Sequence, residues 1–473
     1  MSTNKNKLRD KILTGNILTL MFVMSIPAVI SMSINAINIF IDSLFVGRYI
    51  GANALAAISL VFPLNMVSTG FSALLGAGAS SLLSISIGSN NLDTQKKVFG
   101  TFFILALIVA TLFTSFTYYF APELISLMGG TGEVKELGVI YYRIILVGSF
   151  FSIFAGAAND LIRAEGKVKK AMTFGITANI TNIILNPIFI IYLDLGLVGA
   201  AWATVISTLV FTSCSAWYFF TGKASYPINI KEFRLEKKLV TPIFSVGVTA
   251  MLLQVMLFVQ QLVVFQSIAH YGGDKDIAFM GVCSRILFVI LIPGFGFAQS
   301  MQPLIGINYG DKNYARVKKI FYTFSISYTI FSMVIWLFIM LFPLEVLTWM
   351  LPEITFIPQD IINFRMIMIA TPLYPFFILT VFFFQSIGNG KSAGLILLSR
   401  EIFLFIPIAL LLPIYFGLTG IYATLIPVNV IMLVASLIAI KKQFKKWEKD
   451  QPKVQAKVKV KGVNLEPVLV EID

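Results

Sequence analysis

Long apolar stretches separated by short polar breaks dominate the sequence. Stretches of about twenty mostly apolar residues recur along most of the chain, which is the pattern of a polytopic helical membrane protein. A membrane β-barrel would instead show alternating segments of about ten residues, and the sequence has none. We therefore predict an all-α integral membrane fold with twelve transmembrane helices. Their predicted bounds, numbered as segments 1 to 12, are 16–46, 54–82, 97–120, 138–160, 171–193, 197–220, 241–269, 278–307, 318–343, 362–387, 393–415 and 419–441.

The composition supports this fold class. Of the 473 residues, 57% are apolar and 12% are charged, and the mean hydropathy is +0.86. A soluble domain has about 25% charged residues, so this chain has too few charges to cover a water-facing surface. The two cysteines, Cys214 and Cys283, lie inside apolar segments and predict no disulfide framework. The single histidine, His270, argues against a histidine-based metal site, and we expect neither a metal nor an organic cofactor.

The net charge of +13 is concentrated in alternate loops. Lysine and arginine cluster before segment 1 and after segments 2, 4, 6, 8, 10 and 12, whereas the opposite loops carry mainly acidic residues. By the positive-inside rule, both termini are predicted to lie in the cytoplasm of a multi-pass cell-membrane protein. Because the positive charge follows membrane topology, the expected partner is the lipid bilayer, and no nucleic acid is expected. The basic tail is predicted to leave the membrane and to be partly disordered.

The two halves of the chain share a weak internal repeat. "RAEGKVKKAM" from Arg163 matches "QSIGNGKSAG" from Gln385, and "GSNNLDTQKKVF" from Gly88 matches "GDKNYARVKKIF" from Gly310. The matches share one order and one offset of roughly 220 residues. Six helices per half give parallel halves, so we predict two pseudo-symmetric six-helix bundles with a substrate cavity between them. The predicted boundaries are 1–220 for an N-terminal lobe, 221–240 for a cytoplasmic linker, 241–443 for a C-terminal lobe and 444–473 for the tail.

Polar residues form stripes on two of the N-terminal segments. Segment 1 carries four on one helical face, namely Ser31, Asn35, Asn38 and Asp42. Segment 5 carries three more at similar spacing, namely Asn179, Asn182 and Asn186. We interpret Asn35, Asn38 and Asn179 as residues that hold the bundle together by interhelical hydrogen bonds, as polar side chains in lipid commonly do.

Asp42 is the only acidic residue well inside a predicted N-terminal segment. A carboxylate in a low-dielectric environment favours its neutral form, so it can load and release a proton. Surrounded by amide and hydroxyl oxygens, it could instead hold a dehydrated sodium ion, since hard cations prefer oxygen ligands. The alternative is a position in the headgroup region, paired with Arg48. In the same segment, Pro27 removes a backbone hydrogen bond and permits a kink.

The C-terminal half offers polar residues that could bind substrate or take part in coupling: Gln254, Gln261, Arg285, Gln302 and Glu401. Glu401 is the second candidate for coupling. We expect Arg400 to extend to the cytoplasmic interface. Because adjacent residues on a helix do not face each other, Arg400 and Glu401 are expected to have separate partners. Some of the 43 phenylalanines and 17 methionines, if they line the cavity, would suit flat aromatic cations.

Four stretches carry a family resemblance: "DSLFVGRYIGANALAAISLVFP", "RAEGKVKKAM", "NIILNPIFIIYLDLGLVGAAWATVIS" and "SRILFVILIPGFGFAQSMQPLIGINYGDKNYARVKK". Together they resemble the multidrug and toxic compound extrusion (MATE) family, most of all its bacterial MepA-like or DinF-like branch. The resemblance covers nearly the whole chain. It implies an antiporter that exports organic cations and aromatic drugs by alternating access of two six-helix lobes, driven by protons or sodium ions, as in multidrug efflux and antibiotic resistance.

The resemblance also implies a cation site in the N-terminal lobe. Its members, transferred by motif, are Asp42, Asn182, Asn186 and Thr204. Pro27 matches a proline whose bending is tied to protonation in some members. One position departs from the family, because similar transporters often have "LDP" in segment 5 where this chain has "LNP", which makes Asn186 neutral. With one carboxylate instead of two, proton coupling is favoured and a sodium ion loses a charged ligand.

The alternative function is a lipid-linked saccharide flippase of the same superfamily. It would need a cavity rich in arginine to bind pyrophosphate, and only Arg285 and Arg400 are predicted inside the membrane. A major-facilitator transporter shares the plan of two six-helix halves, but "GSNNLDTQKK" lacks that family's Gly-x-x-x-Asp-Arg-like pattern. An enzyme would need clustered histidines or acids, and a channel would need a selectivity filter. The sequence shows neither, so we expect a monomeric transporter that is not an enzyme.

Overall fold

The computed structural model describes residues 2–228, 233–350 and 356–450. Within these ranges, twelve helices are long and apolar enough to cross a membrane, which confirms the predicted fold class. The first six are α1 (Ile17–Tyr49), α2 (Ala52–Gly88), α3 (Leu92–Tyr119), α4 (Gly132–Ala164), α5 (Val168–Tyr192) and α6 (Gly196–Phe220). The other six are α7 (Lys237–Tyr271), α8 (Asp274–Gly310), α9 (Tyr314–Leu341), α10 (Pro358–Ser386), α11 (Gly390–Ala423) and α12 (Leu425–Asp450).

Three further helices were not predicted, because they are too short or too polar to resemble a membrane span. They are the N-terminal helix (Ser2–Thr14) and two short helices at Ala121–Leu127 and Pro343–Met350. Inside α11, Gly417 has a φ of 57°, a left-handed conformation that glycine adopts without strain. The backbone is therefore kinked where segment 11 was predicted to give way to segment 12.

The repeat gives two of the turns the same local structure. Asn90, between α2 and α3, has a φ of 54°, and Lys312, between α8 and α9, has a φ of 61°. The side chains of Asn91 and Asn313 then cap α3 and α9, each accepting a backbone N–H at 3.1 Å. The sequence match between "GSNN" and "GDKN" thus corresponds to two equivalent helix–turn–helix connections.

Glycines bring the two halves into backbone contact near these turns. A Cβ on Gly88, at the end of α2, would overlap the carbonyl oxygen of Ile307 on α8. A Cβ on Gly310, at the end of α8, would overlap the carbonyl oxygen of Ile85 on α2. The two contacts are related by the offset of the repeat, and small residues permit this close approach of helices.

The N-terminal helix lies across this contact and bonds to both halves. Arg9 donates a hydrogen bond to the carbonyl oxygen of Gly88 at 2.9 Å and pairs with the Asp311 carboxylate at 2.8 Å. Arg316 of α9 donates in turn to the carbonyl oxygen of Ile12 at 3.0 Å. The N-terminal helix therefore links the end of α2 to the connection between α8 and α9.

Two predicted domain boundaries, those of the linker and of the tail, do not coincide with the helix ends in the structure. The tail was predicted to begin at residue 444, but α12 continues to Asp450, because Trp447 is buried and stacks on Tyr314 with ring centroids 4.8 Å apart. The linker was predicted to end at residue 240, but α7 begins at Lys237. Residues 229–232 of the linker and 451–473 of the tail lie outside the described residues.

Candidate functional site

Four side chains from α1, α5 and α6 form one hydrogen-bonded chain in the N-terminal half. Asn186 Nδ2 donates to Asp42 Oδ1 at 2.8 Å and to Asn182 Oδ1 at 3.2 Å. Asn182 Nδ2 donates to Thr204 Oγ1 at 3.3 Å. The structure therefore brings together the four residues that the family motif assigned to a cation site. We refer to them as the Asp42 chain.

The local structure of α5 explains how its two asparagines reach both neighbours. Asn182 and Asn186 are one turn apart, so their side chains stack along one face of the helix, and they are 3% and 0% exposed. The α-helical part of α5 ends at Pro187, and a π-helical turn follows from Ile188 to Tyr192. Such turns occur often at functional sites, because they change the direction of side chains within a helix.

The carboxylate of Asp42 has neutral surroundings. It is partly buried, and within the described residues it forms no ion pair, so the predicted alternative of pairing with Arg48 is wrong. Two amide oxygens remain available: Asn186 Oδ1 and Asn38 Oδ1 are buried and accept no hydrogen bond from the described residues. Asn38 lies one turn before Asp42 on the same face of α1. A cation could therefore find carboxylate and amide oxygens here.

The rest of the polar face on α1 is only partly covered. Ser31 faces α5, where a Cβ on Gly175 would lie 3.6 Å from its hydroxyl oxygen. Asn35 is exposed, and the structure records no hydrogen bond from Asn35, Asn38 or Asn179 to another described side chain. The prediction that these three asparagines join helices by hydrogen bonds is therefore wrong. On α1 the polar face extends beyond the surface that α5 covers, so Asn35 stays exposed; Asn179, on α5 itself, is only half-buried.

Pro27 lies inside α1. The residues on either side of it in α1 pack against α8. Ser300 Oγ of α8 donates to the carbonyl oxygen of Met24 at 3.0 Å. Gly296 lets α8 approach closely, since a Cβ there would lie 2.9 Å from the Val29 backbone nitrogen. The segment of α1 where a bend is easiest is thus in contact with the other half of the molecule.

The candidate residues of the C-terminal half do not form one site. Gln302 Nε2 lies 3.4 Å from Gln385 Oε1, in a polar cluster between the two halves. Gln261 lines a separate cavity within the C-terminal half. Arg285 is exposed, and neither Arg285 nor Gln254 lines that cavity.

Arg400 and Glu401 are buried together, each 3% exposed. Arg400 Nη1 donates to Glu401 Oε1 and lies 3.3 Å from Gln260 Oε1. The predictions that Arg400 extends to the interface and that the two residues have separate partners are both wrong. Those predictions assumed an α-helix, whereas Ser399–Phe405 of α11 is π-helical, and its wider turn redirects the side chains.

The comparison with known proteins decides the family. The MatE family model matches residues 27–188 and 248–411, which is most of the helical region in both halves. This chain belongs to the MATE family of multidrug efflux transporters. It is 25% identical over 421 residues to the multidrug export protein MepA of Staphylococcus aureus (strain MSSA476), covering 88% of this chain and 91% of that protein.

Solved structures agree with the family assignment of this MATE transporter. A crystal structure of MATE in the bent conformation has a TM-score of 0.87 and 26% sequence identity, covering 93% of this chain and 98% of that chain. A crystal structure of MATE in the straight conformation gives the same four values. MATE members are transporters, so this chain is a multi-pass membrane transport protein. In the Asp42 chain, the three residues from α1 and α5 lie within the matched range and Thr204 lies outside it.

Glu165 is a buried acid of this MATE transporter that the sequence pattern did not predict. The side chain of Glu165, just after α4, is buried, and its Oε2 accepts hydrogen bonds from the Tyr218 hydroxyl at 2.5 Å and the Ser225 backbone N–H at 2.9 Å. It also pairs with Lys167 at 3.0 Å. The Ser225 hydroxyl also donates to Oε2, at 2.7 Å. Because a lysine and three donor groups already hold this carboxylate, Glu165 is a structural residue. Asp42 differs from it in this respect, since it pairs with no basic residue in the described part of the chain.

Proposed function

We propose that this MATE transporter is a cation-coupled multidrug antiporter that exports organic cations, with the proton as the favoured coupling ion. The observation that supports this most strongly is the neutral environment of Asp42. Its described hydrogen-bond donor is the uncharged amide of Asn186, 2.8 Å away. A bound proton or cation can neutralise such a carboxylate without breaking a salt bridge.

Proton coupling is favoured over sodium coupling because the Asp42 chain contains one carboxylate. A dehydrated sodium ion would have one charged ligand, and its other ligands would be neutral amide and hydroxyl oxygens. The buried oxygens Asn38 Oδ1 and Asn186 Oδ1 could serve as those neutral ligands. Sodium therefore remains the second coupling ion to test.

The proposed mechanism is an exchange between two states of two six-helix lobes. In the outward-facing state, Asp42 takes up a cation and the drug leaves; in the inward-facing state, the cation leaves and a cytosolic drug enters. Coupling requires that drug and cation differ in affinity between the two states. A bend of α1 at Pro27, next to its contact with Ser300 of α8, would connect the charge on Asp42 to the packing of the halves.

The remaining parts of the proposal concern orientation and assembly. The alternating basic loops support cytoplasmic termini, and the transporter is proposed to act as a monomer. The flippase alternative loses support, because Arg400 is paired with Glu401 and Arg285 does not line the cavity beside it. A pyrophosphate would find no cluster of arginines in the described part of the C-terminal half.

The test uses the purified protein in liposomes loaded with ethidium, a flat aromatic cation. A pH gradient and a sodium gradient are applied separately to wild type, Asp42→Asn and a control, Asp93→Asn. Asp93 is an exposed acid that pairs with Lys97 at 2.7 Å at the start of α3. We expect the pH gradient to drive efflux in wild type and the control but not in Asp42→Asn. Gradient-driven efflux by Asp42→Asn equal to wild type would overturn the proposal.

A further inference from the structure

A cavity lies within the C-terminal half, away from the Asp42 chain. Its enclosed part has a volume of about 90 Å³, the open space including the solvent in its mouth is about 900 Å³, and α7, α8, α10, α11 and α12 all contribute to its walls. The enclosed part has room for several water molecules, so the polar end of a ligand fits there while a longer apolar body extends into the mouth. The polar residues that line it include Arg400 of α11 and Thr371 of α10, each 3% exposed.

The guanidinium of Arg400 has one occupied edge and one free edge. Its Nη1 bonds to Glu401 and Gln260. Its Nε is buried, and neither Nε nor Nη2 makes a hydrogen bond to any described residue. The Nε and Nη2 N–H groups are parallel donors, and this pair matches the two oxygens of a carboxylate.

The plane of the guanidinium is fixed by aromatic rings. Its central carbon lies 5.3 Å from the ring centroid of Tyr374 and 5.0 Å from that of Phe377. Such stacking holds an arginine in place at little entropic cost when it binds an anion. Glu401 bonds to Nη1 and is not among the residues that line the cavity, so a bound anion would approach the guanidinium from the edge that Glu401 does not occupy.

Thr371 provides a second polar group in the wall of this cavity. Its hydroxyl is buried and has no hydrogen-bond partner in the described chain. Residues 371–373 form a 3₁₀ turn that leads into Tyr374, and both Thr371 and Tyr374 line the cavity together with Arg400.

The remaining walls are largely apolar and aromatic. Phe265, Leu287, Phe288 and Phe405 all line the cavity. A ligand that fills it must therefore present an apolar body as well as a group for Arg400. Flat aromatic bodies suit such walls, because ring faces pack well against phenylalanine.

We propose that this cavity is a ligand site for amphipathic carboxylates, meaning molecules with a flat apolar body and one carboxylate. Arg400 binds the carboxylate through its Nε and Nη2 edge, Thr371 donates a second hydrogen bond, and the phenylalanines hold the apolar body. Glu401 and Gln260 act as positioning residues that orient the guanidinium. The site is separate from the Asp42 chain, so either can fail experimentally without the other.

The test compares two probes that differ only in the charged group. Dansylglycine carries a flat fluorophore and a carboxylate, and its methyl ester is the matched uncharged probe. Binding to the purified full-length protein in detergent at pH 7.5 is followed by dansyl fluorescence. Because charge-assisted hydrogen bonds to a buried arginine are strong, we expect wild type to bind the acid at least about tenfold more tightly than the ester.

Variants assign that preference to Arg400. Arg400→Gln is expected to remove it, whereas the control Arg365→Gln, at an exposed arginine of α10, and Asp42→Asn should retain it. Arg400→Gln leaves Glu401 buried without its partner and can fail to fold, so the double variant Arg400→Gln/Glu401→Gln removes both charges. Thr371→Val is expected to weaken acid binding and to leave ester binding unchanged.

Three results would overturn the proposal. Wild type could bind the ester as tightly as the acid, which would make the cavity a purely apolar site. A folded variant without Arg400 could keep the preference for the acid. Wild type could prefer the amine dansyl-ethylenediamine to dansylglycine, with a preference that Asp42→Asn leaves intact, which would make the cavity a cation site.

Discussion

The Asp42 carboxylate accepts a hydrogen bond from an amide, whereas many buried carboxylates pair with a basic residue. The Asn186 amide, 2.8 Å away, stabilises the ionised form without neutralising its charge. Helical spacing predicted which residues share a face, and the family motif predicted which faces meet. Neither could predict that Asn35 is exposed, or that Asn38 Oδ1 accepts no hydrogen bond within the described ranges, because those outcomes depend on how much of α1 the helix α5 covers.

A second carboxylate in the Asp42 chain should change the coupling ion. In Asn186→Asp, a sodium ion between positions 42 and 186 would gain a second charged ligand, and hard cations bind such oxygens strongly. We expect a sodium gradient to drive ethidium efflux from liposomes with this variant and not with wild type. The control is Asn179→Asp, which adds an acid to the same helix without a recorded bond to Asp42. Sodium-driven efflux in both variants, or in neither, would contradict this assignment.

Arg400 and Glu401 show where residue-level prediction failed. Apolar periodicity distinguishes a helix from a strand, but it contains no signal for a π-helical turn such as Ser399–Phe405. The predicted partners were therefore those of an α-helix. The cavity beside Arg400 also depends on five helices that are distant in sequence, so its lining could not be derived from any single segment.

The helices themselves were largely predictable, because each begins or ends where apolar sequence meets polar or turn-forming residues. The caps at Asn91 and Asn313 have the same spacing relative to the helices they start, which is why the repeat was visible. The extension of α12 was not predictable, because it depends on packing of Trp447 against Tyr314 of another helix. The mixed apolar and charged residues at the end of α12 do not indicate by themselves that Trp447 packs against another helix.

Two glycines on α8 provide a matched test of helix packing. A Cβ on Gly310 would overlap the carbonyl oxygen of Ile85, whereas a Cβ on Gly281 would have no atom of the described residues within 4 Å. Gly310→Ala is expected to lower the free energy of unfolding by about 1–3 kcal/mol through overpacking. Gly281→Ala should be neutral or stabilising by about 0.5–1 kcal/mol, because alanine favours the helix.

Thermal unfolding of the two variants in the same detergent measures this difference. The melting temperature should fall in Gly310→Ala and stay level or rise in Gly281→Ala. Equal shifts in both variants would show that the contact between the ends of α2 and α8 is not as close as the structure describes.

At the scale of the whole molecule, the two halves meet through a pseudo-symmetric pair of backbone contacts, at Gly88 and Gly310, beneath the N-terminal helix. The repeat predicted two related halves, and the close crossings at the matched glycines agree with it. The N-terminal helix itself was not predicted, because its contacts are made by single arginines, Arg9 and Arg316, to backbone oxygens far away in sequence.

Removal of the Arg9 side chain should loosen this link between the halves. Arg9→Ala removes the hydrogen bond to the Gly88 carbonyl and the ion pair with Asp311. Hydrogen exchange, measured by mass spectrometry, should increase in the N-terminal helix and at the end of α2, because their linking contacts are lost. Lys11→Ala, an exposed residue of the same helix, is the control. Exchange that rises equally in the control, or in neither variant, would show that Arg9 does not link the halves.

The central claim is that drug and coupling ion compete through Asp42, and proton release tests it most directly. Ethidium is added to purified transporter in weakly buffered detergent solution, and the pH change is followed with an indicator dye. Ethidium binding should release protons from wild type and from Asp93→Asn, but not from Asp42→Asn, because the carboxylate that exchanges them is gone. Equal proton release from Asp42→Asn and wild type would contradict the account, since the exchanging group would then lie elsewhere.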